Sequence, residues 1–247
     1  MTSHEITYLV IGGLAGGFIN GLAGFGTSLF ALGFFLTVIP PVEAVAITVS
    51  ISVISGLQGL WIVRHSVTRN PRRLMRFLLP ALLGIPIGVA SLKQIDVSVL
   101  KYLIAFFLIL YGGFFTLRRN LPKIERPTPL VDMIVGFFAG IFGGAASLSG
   151  ALPTMWCAMR AWPKYETRAV LQPFNVIVLA STAAMLAWDG AYHAETLFQL
   201  CVAMPAAVVA AQFGIFIFHK LNDEFFRRLL IAICLASGTL LFMRELL

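Results

Sequence analysis

The chain has 247 residues, of which 59% are hydrophobic and only 12% charged, and its mean hydropathy is +0.90. A soluble domain carries roughly 25% charged residues and has no interior large enough to hide such an apolar surplus, so a water-soluble fold is excluded and the bilayer is the expected solvent. The formal charge of +7 sits in short loops between apolar stretches, a pattern of membrane orientation rather than of nucleic-acid binding.

Residues 1–6 lack Lys and Arg, and no small-residue cleavage site follows the first apolar stretch, so that stretch is expected to stay on the chain. It runs over 7–39, too long for one straight span, and GLAGFGTS at 21–28 interrupts it. Spans are predicted at 42–63, 74–92 and 98–117, each near the about 20 residues that cross a hydrocarbon core. The charged, proline-rich run RRNLPKIERPTPL at 118–130 reads as a link between halves, so the halves are set at 1–120 and 130–247 with a linker at 121–129. The second half opens with another interrupted stretch, 130–158, broken by GGAASLSG at 143–150, and continues with spans at 168–188, 196–218 and 225–243. The pieces beside the two interruptions count at roughly 11–16 residues, short of a crossing at 1.5 Å per residue.

Charge decides how the second interrupted stretch runs. If all eight apolar stretches cross once, Lys and Arg divide 10 against 8 between the two faces; if 130–158 enters and returns to one side, they divide 15 against 3. Positive residues concentrate on the cytoplasmic face, which favours the hairpin. Symmetry extends this to the first stretch: GFINGLAG at 17–24 and GFFAGIFG at 136–143 share the pattern G-F-x-x-G-x-x-G, an internal repeat of about 120 residues. Two hairpins leave three full crossings per half, and an odd number inverts the second half. The expected fold class is thus all-α integral membrane: two inverted repeats, each a glycine-rich broken re-entrant hairpin plus three transmembrane helices. Both termini lie outside, the basic loops face the cytoplasm, and the location is the cell (inner) membrane.

Irregular backbone at membrane depth must line protein or a water-filled cavity, which makes the two tips the candidate site. Thr27 and Ser28, and Ser147 and Ser149, stand where second short helices begin; hydroxyls there are natural N-caps, and free N–H groups beside them attract anions. Gly24, Gly26, Gly143 and Gly144 would allow close backbone approach, although a single glycine more often serves helix packing. Asn20 precedes the first tip, and Gln172 and Asn175 flank Pro173, whose missing donor loosens that helix; such amides also act as interhelical glue. Thr48, Ser50, Ser52 and Ser55 are expected to bond their own backbone, and Arg168 is read chiefly as a topology anchor that could also face an anion.

Cys157, Cys201 and Cys234 are scattered, and His4, His65, His193 and His219 form no i, i+4 pair, so neither a metal nor another cofactor is expected. No HExxH, GxSxG or P-loop occurs, and no enzymatic activity or ATP drive is expected from the chain itself. Apolar outer faces are compatible with a homodimer. A small anionic solute is the expected cargo, with a passive channel or a non-transporting scaffold as alternatives.

The repeated broken segments GGFINGLAGFGTSLFALGFFLTVIPPVEA and VGFFAGIFGGAASLSGALPTM resemble the TauE/SafE family of sulfite exporters over about residues 8–243. Position by position, the family's tip motifs fall on Gly21, Gly24 and Gly26 and on Gly140, Gly143 and Gly144. The resemblance implies a permease for small anions such as sulfite, sulfoacetate or thiosulfate, and the expected mechanism from the inverted halves is alternating access around a midplane site at the two tips.

Overall fold

The computed structural model describes residues 2–67, 71–117, 124, 126–160, 162, 164–220, 235, 239, 242 and 243. Among them the chain forms α1 (Ser3–Ala23), α2 (Thr27–Phe35), α3 (Pro41–Val67), α4 (Pro71–Leu92), α5 (Val97–Leu117), α6 (Pro129–Ala146), α7 (Ala151–Ala158), α8 (Lys164–Trp188) and α9 (Ala194–Lys220), with no strand beyond one isolated bridge. Most of the expected span at 225–243 and part of the linker lie outside the described residues.

Seven of these helices, all but α2 and α7, are long and apolar enough to cross a membrane. The count revises the estimate of 11–16 residues for the hairpin arms, because α1 has 21 residues and α6 has 18. At 1.5 Å per residue α1 is about 31 Å long. Its extra turn comes from a capping box: Thr2 Oγ1 accepts from the Glu5 amide at 3.3 Å, and the Thr2 amide donates to Glu5 Oε2 at 2.9 Å. Only the second arms, α2 with 9 residues and α7 with 8, are too short to span.

α2 folds back along α1, so that a Cβ built at Gly12 would meet the Phe35 ring and one at Gly16 would meet Ala31 and Thr27. α1 lies along α9, and α6 lies along α4. Glycine sets both seams. A Cβ at Gly17 would lie 2.1 Å from Ala207 O and one at Gly21 2.0 Å from Ala211 O; at Gly136 and Gly140 the distances are 2.2 Å to Phe77 O and 2.1 Å to Ala81 O. Residue numbers rise together along each seam, so the paired helices run parallel. The shared glycine pattern of the sequence is therefore, at its first two positions, a close-packing device. α3 and α8, the most buried of the spans, cross the centre antiparallel to each other: Gly56 faces Val176, Gly59 faces Gln172, and the Tyr192 hydroxyl beyond the end of α8 donates to Ala46 O at 3.0 Å. Their outer neighbours present apolar side chains outward, including Leu79 and Leu83 on α4 and Phe198, Val209 and Phe213 on α9, the surface a lipid environment requires.

Candidate functional site

Both interruptions are real breaks in helical backbone. α1 ends on Gly24 (φ 80°, left-handed), its N–H returned to Asn20 O at 2.7 Å, and Gly26 (φ 91°) resets the chain into α2. α6 ends on Ser147, also left-handed (φ 58°), and the chain passes Leu148 and Ser149 before α7 begins after Gly150. A non-glycine residue in this region is strained by roughly 1–2 kcal/mol.

The two tips touch each other. Ser28 Oγ donates to Ser147 O across the interface at 2.8 Å, and a Cβ at Gly150 would come 2.6 Å from Phe25 Cβ. Around this contact Thr27, Ser28, Ser147 and Ser149 are all buried. Ser149 Oγ donates to Asn175 Oδ1, near the middle of α8. Gln172 Nε2 donates to Gly56 O at 2.9 Å, and the same amide lies against Gly24 and Gly59, glycines whose Cβ atoms would overlap it. Asn20 Nδ2 reaches Ser52 O at 3.2 Å near the middle of α3. Of the residues singled out from sequence, the structure brings Gly24, Gly26, Thr27, Ser28, Ser147, Ser149, Gln172 and Asn175 to the tips, with Gly143 directly behind Ser149 and Asn20 one turn before the first break. Gly144 instead faces α4, where a Cβ would lie 2.6 Å from Ile85 O; it belongs to the packing seam.

The hydroxyls do not cap the short helices as their positions suggested. Gly26 and Gly150 are the N-caps and neither break supplies a side-chain cap, so Ser28 and Ser149 are free to link one tip to the other and to α8. Thr48 and Ser52 bond the carbonyls four residues back, at 2.7 and 2.8 Å, as hydroxyls in membrane helices commonly do. Asn20 Oδ1, Thr27 Oγ1, Ser147 Oγ and Gln172 Oε1 are buried without a hydrogen bond inside the described chain. Buried polar atoms of this kind cost free energy unless water or a bound solute meets them.

Arg168 was undervalued by its position near the start of a span. It is 93% buried, its guanidinium stands 4.3 Å over the Phe218 ring, Nη2 lies 3.5 Å from Gly21 O, and Nε comes within 3.5 Å of where a Gly24 Cβ would sit. The signal was present in the numbering: Arg168, Gln172 and Asn175 are spaced i, i+4, i+7 and share one face of α8. Among the described residues no cluster of three or more His, Cys, Asp or Glu is arranged to hold a metal.

A bundle of membrane-length apolar helices in which two helix breaks meet among buried amides, hydroxyls and a guanidinium has the make-up of a membrane transporter. Residues 9–241 match the sulfite exporter TauE/SafE family, and the chain belongs to it. Over 213 residues, 81% of this chain and 79% of the relative, it is 25% identical to a probable sulfite/organosulfonate exporter TauE of Cupriavidus necator. Over 152 residues, 57% of each, it is 26% identical to a probable membrane transporter protein, ORF9, of a Sinorhizobium species.

Proposed function

We propose that this protein exports a small sulfur oxyanion or organosulfonate, such as sulfite or sulfoacetate, from the cytoplasm across the inner membrane by alternating access around the meeting tips. The observation that carries the reading is the contact itself: two helix breaks from different halves joined by Ser28 Oγ and Ser147 O at 2.8 Å, with Arg168 buried beside the first tip. Arg168 supplies the positive charge, the uncapped N-termini of α2 and α7 supply N–H donors, and Thr27, Ser147 and Ser149 supply hydroxyls, a donor-rich set suited to oxyanions.

The inverted arrangement is part of the proposal. The seams α1 with α9 and α6 with α4 exchange corresponding elements of the two halves, residues 1–120 and 130–247. α3 runs with α1, since Asn20 meets Ser52 and Gln172 lies against both Gly24 and Gly59. α8 runs against α3 and with α4, since Arg73 meets Glu166 near the two helix starts and Phe77 meets Phe174 further along, so α6, parallel to α4, enters from the face opposite to α1. The tips then lie level with the middles of α3 and α8, near the membrane midplane. Separation of the tips toward one face and then the other moves the anion, and the contact described is the state closed between them. The basic loops 64–76, 118–126 and 160–168 face the cytoplasm by the positive-inside rule.

The test is efflux of sulfite, sulfate, thiosulfate and sulfoacetate from proteoliposomes of the purified protein. Saturable, sulfur-anion-selective flux that falls at least ten-fold in Arg168→Gln sustains the reading. Wild-type flux in Arg168→Gln, Thr27→Ala and Ser149→Ala alike removes the tips from the mechanism.

A further inference from the structure

Away from the tips, a cavity of about 280 Å³ opens among Arg73, Arg76, Pro127, Asp132, Arg160 and Trp162. It lies where the start of α4, the start of α6 and the segment between α7 and α8 converge, on the face that carries the basic loops. The volume is at the small end for ligand sites, fit for a small solute rather than a large one. Three guanidinium groups and one carboxylate line it, and a second carboxylate, Glu166, holds Arg73 from outside at 2.8 Å. The local balance among the described residues is positive.

The wall is built rather than incidental. Arg160 is 93% buried and is fixed by Asp132 Oδ1 at 2.8 Å, by Arg126 O at 2.7 Å and by Thr128 Oγ1. Trp156 Nε1 donates to the same Asp132 oxygen at 2.8 Å, and the Arg160 guanidinium lies 4.9 Å from the Trp156 ring centroid. With those donors spent, Arg160 Nε remains buried and without a hydrogen bond in the described chain. Arg76 is committed far more weakly, 4.0 Å from Asp132 Oδ2, and its side chain is 38% exposed. Arg73 stacks 4.7 Å over the Trp162 ring and Arg160 stands 5.9 Å from it, so the indole and Pro127 are the apolar part of the lining beside the charges. The lining therefore offers guanidinium donors to oxyanion oxygens and an adjoining apolar surface to a short carbon chain.

We infer that this cavity is a second, cytoplasmic binding site, a loading vestibule that takes the oxyanion head of a short organosulfonate before it reaches the tips. The inference rests on the transport reading for its role, but binding at the cavity stands on its own geometry. An anionic lipid headgroup offers the same chemistry, and the experiment separates the two sources.

The full chain is placed in phosphatidylcholine nanodiscs and sulfoacetate binding is titrated; concentration-dependent sulfoacetate flux is measured in phosphatidylcholine liposomes. Arg76→Gln removes an exposed, weakly paired charge at little cost in folding and is expected to raise both the dissociation constant and the half-saturating concentration about five-fold. Glu166→Gln frees Arg73 and is expected to lower both. Opposite shifts from two single-charge changes are not produced by a folding defect. If the wild type transports and neither variant moves the half-saturating concentration, the vestibule falls while the transport reading stands. If the wild type shows no flux, the transport reading falls, and sulfoacetate binding weakened by Arg76→Gln still sustains the site whereas no binding overturns it. In nanodiscs doped with phosphatidylglycerol, retention of that lipid by the wild type and its loss in Arg76→Gln, with sulfoacetate affinity unmoved, overturns the solute in favour of a lipid.

Discussion

The first break turns on two left-handed glycines, Gly24 and Gly26, whereas the second turns on Ser147 with no glycine in that region. Their outer arms nevertheless pack alike, through Gly17 and Gly21 against α9 and Gly136 and Gly140 against α4. The bases differ again. α7 and α6 are tied by the buried Arg160–Asp132 pair with Trp156 donating to the same carboxylate, while α1 begins with an exposed capping box. In the first half, Ser50 Oγ on α3 lies 2.8 Å from the Tyr192 hydroxyl; burial pushes the Tyr192 phenol up, so it stays protonated at neutral pH. Helix packing is thus what the two broken segments share, and the residues at the breaks and bases are where they differ.

The largest effect is expected at the second base. Removing one partner of the buried pair, as in Asp132→Ala, should cost about 3–5 kcal/mol by stranding Arg160, read as a lowered unfolding midpoint in detergent. Replacing both, Asp132→Leu with Arg160→Met, should recover most of the loss. Equal stability of the single variant and the wild type would show that the second hairpin is not anchored there. Next, Gly17→Ala and Gly140→Ala each force a Cβ onto a facing carbonyl and should cost about 1–3 kcal/mol; a strong asymmetry between them would break the equivalence of the seams. The smallest and most diagnostic pair is at the breaks. Gly26→Ala should destabilise by about 1–2 kcal/mol, whereas Ser147→Gly should relieve strain and stabilise by up to about 1 kcal/mol while slowing transport through loss of its hydroxyl.

Much of this was legible in the sequence. GLAGFGTS and GGAASLSG marked both breaks, and the amides beside Pro173 were found at the tips. The true start of α1 was not read, because Ser3, His4 and Glu5 look too polar for a membrane helix; the T-x-x-E capping box was the signal that carried the helix outward. Arg168 was placed with the anchors because charge near a span end usually snorkels to the interface, and only the tertiary approach of Gly21 and Gly24 gives it a buried place. The Asp132–Arg160 pair joins residues 28 apart across a helix break, a contact that no local periodicity encodes. Gly21 and Gly140 were assigned to the tips, while the structure gives them to the seams; spacing alone cannot separate a packing glycine from a turning one.

Tip separation is the central claim, and a reversible lock tests it most directly. Phe25→Cys with Gly150→Cys, in a background lacking the native cysteines, places two thiols where a Cβ at Gly150 would already lie 2.6 Å from Phe25 Cβ, within about 1 Å of disulfide geometry. Sulfoacetate flux in proteoliposomes should stop on oxidation and return on reduction, because bridged tips cannot part. Undiminished flux through a fully bridged protein would contradict the account.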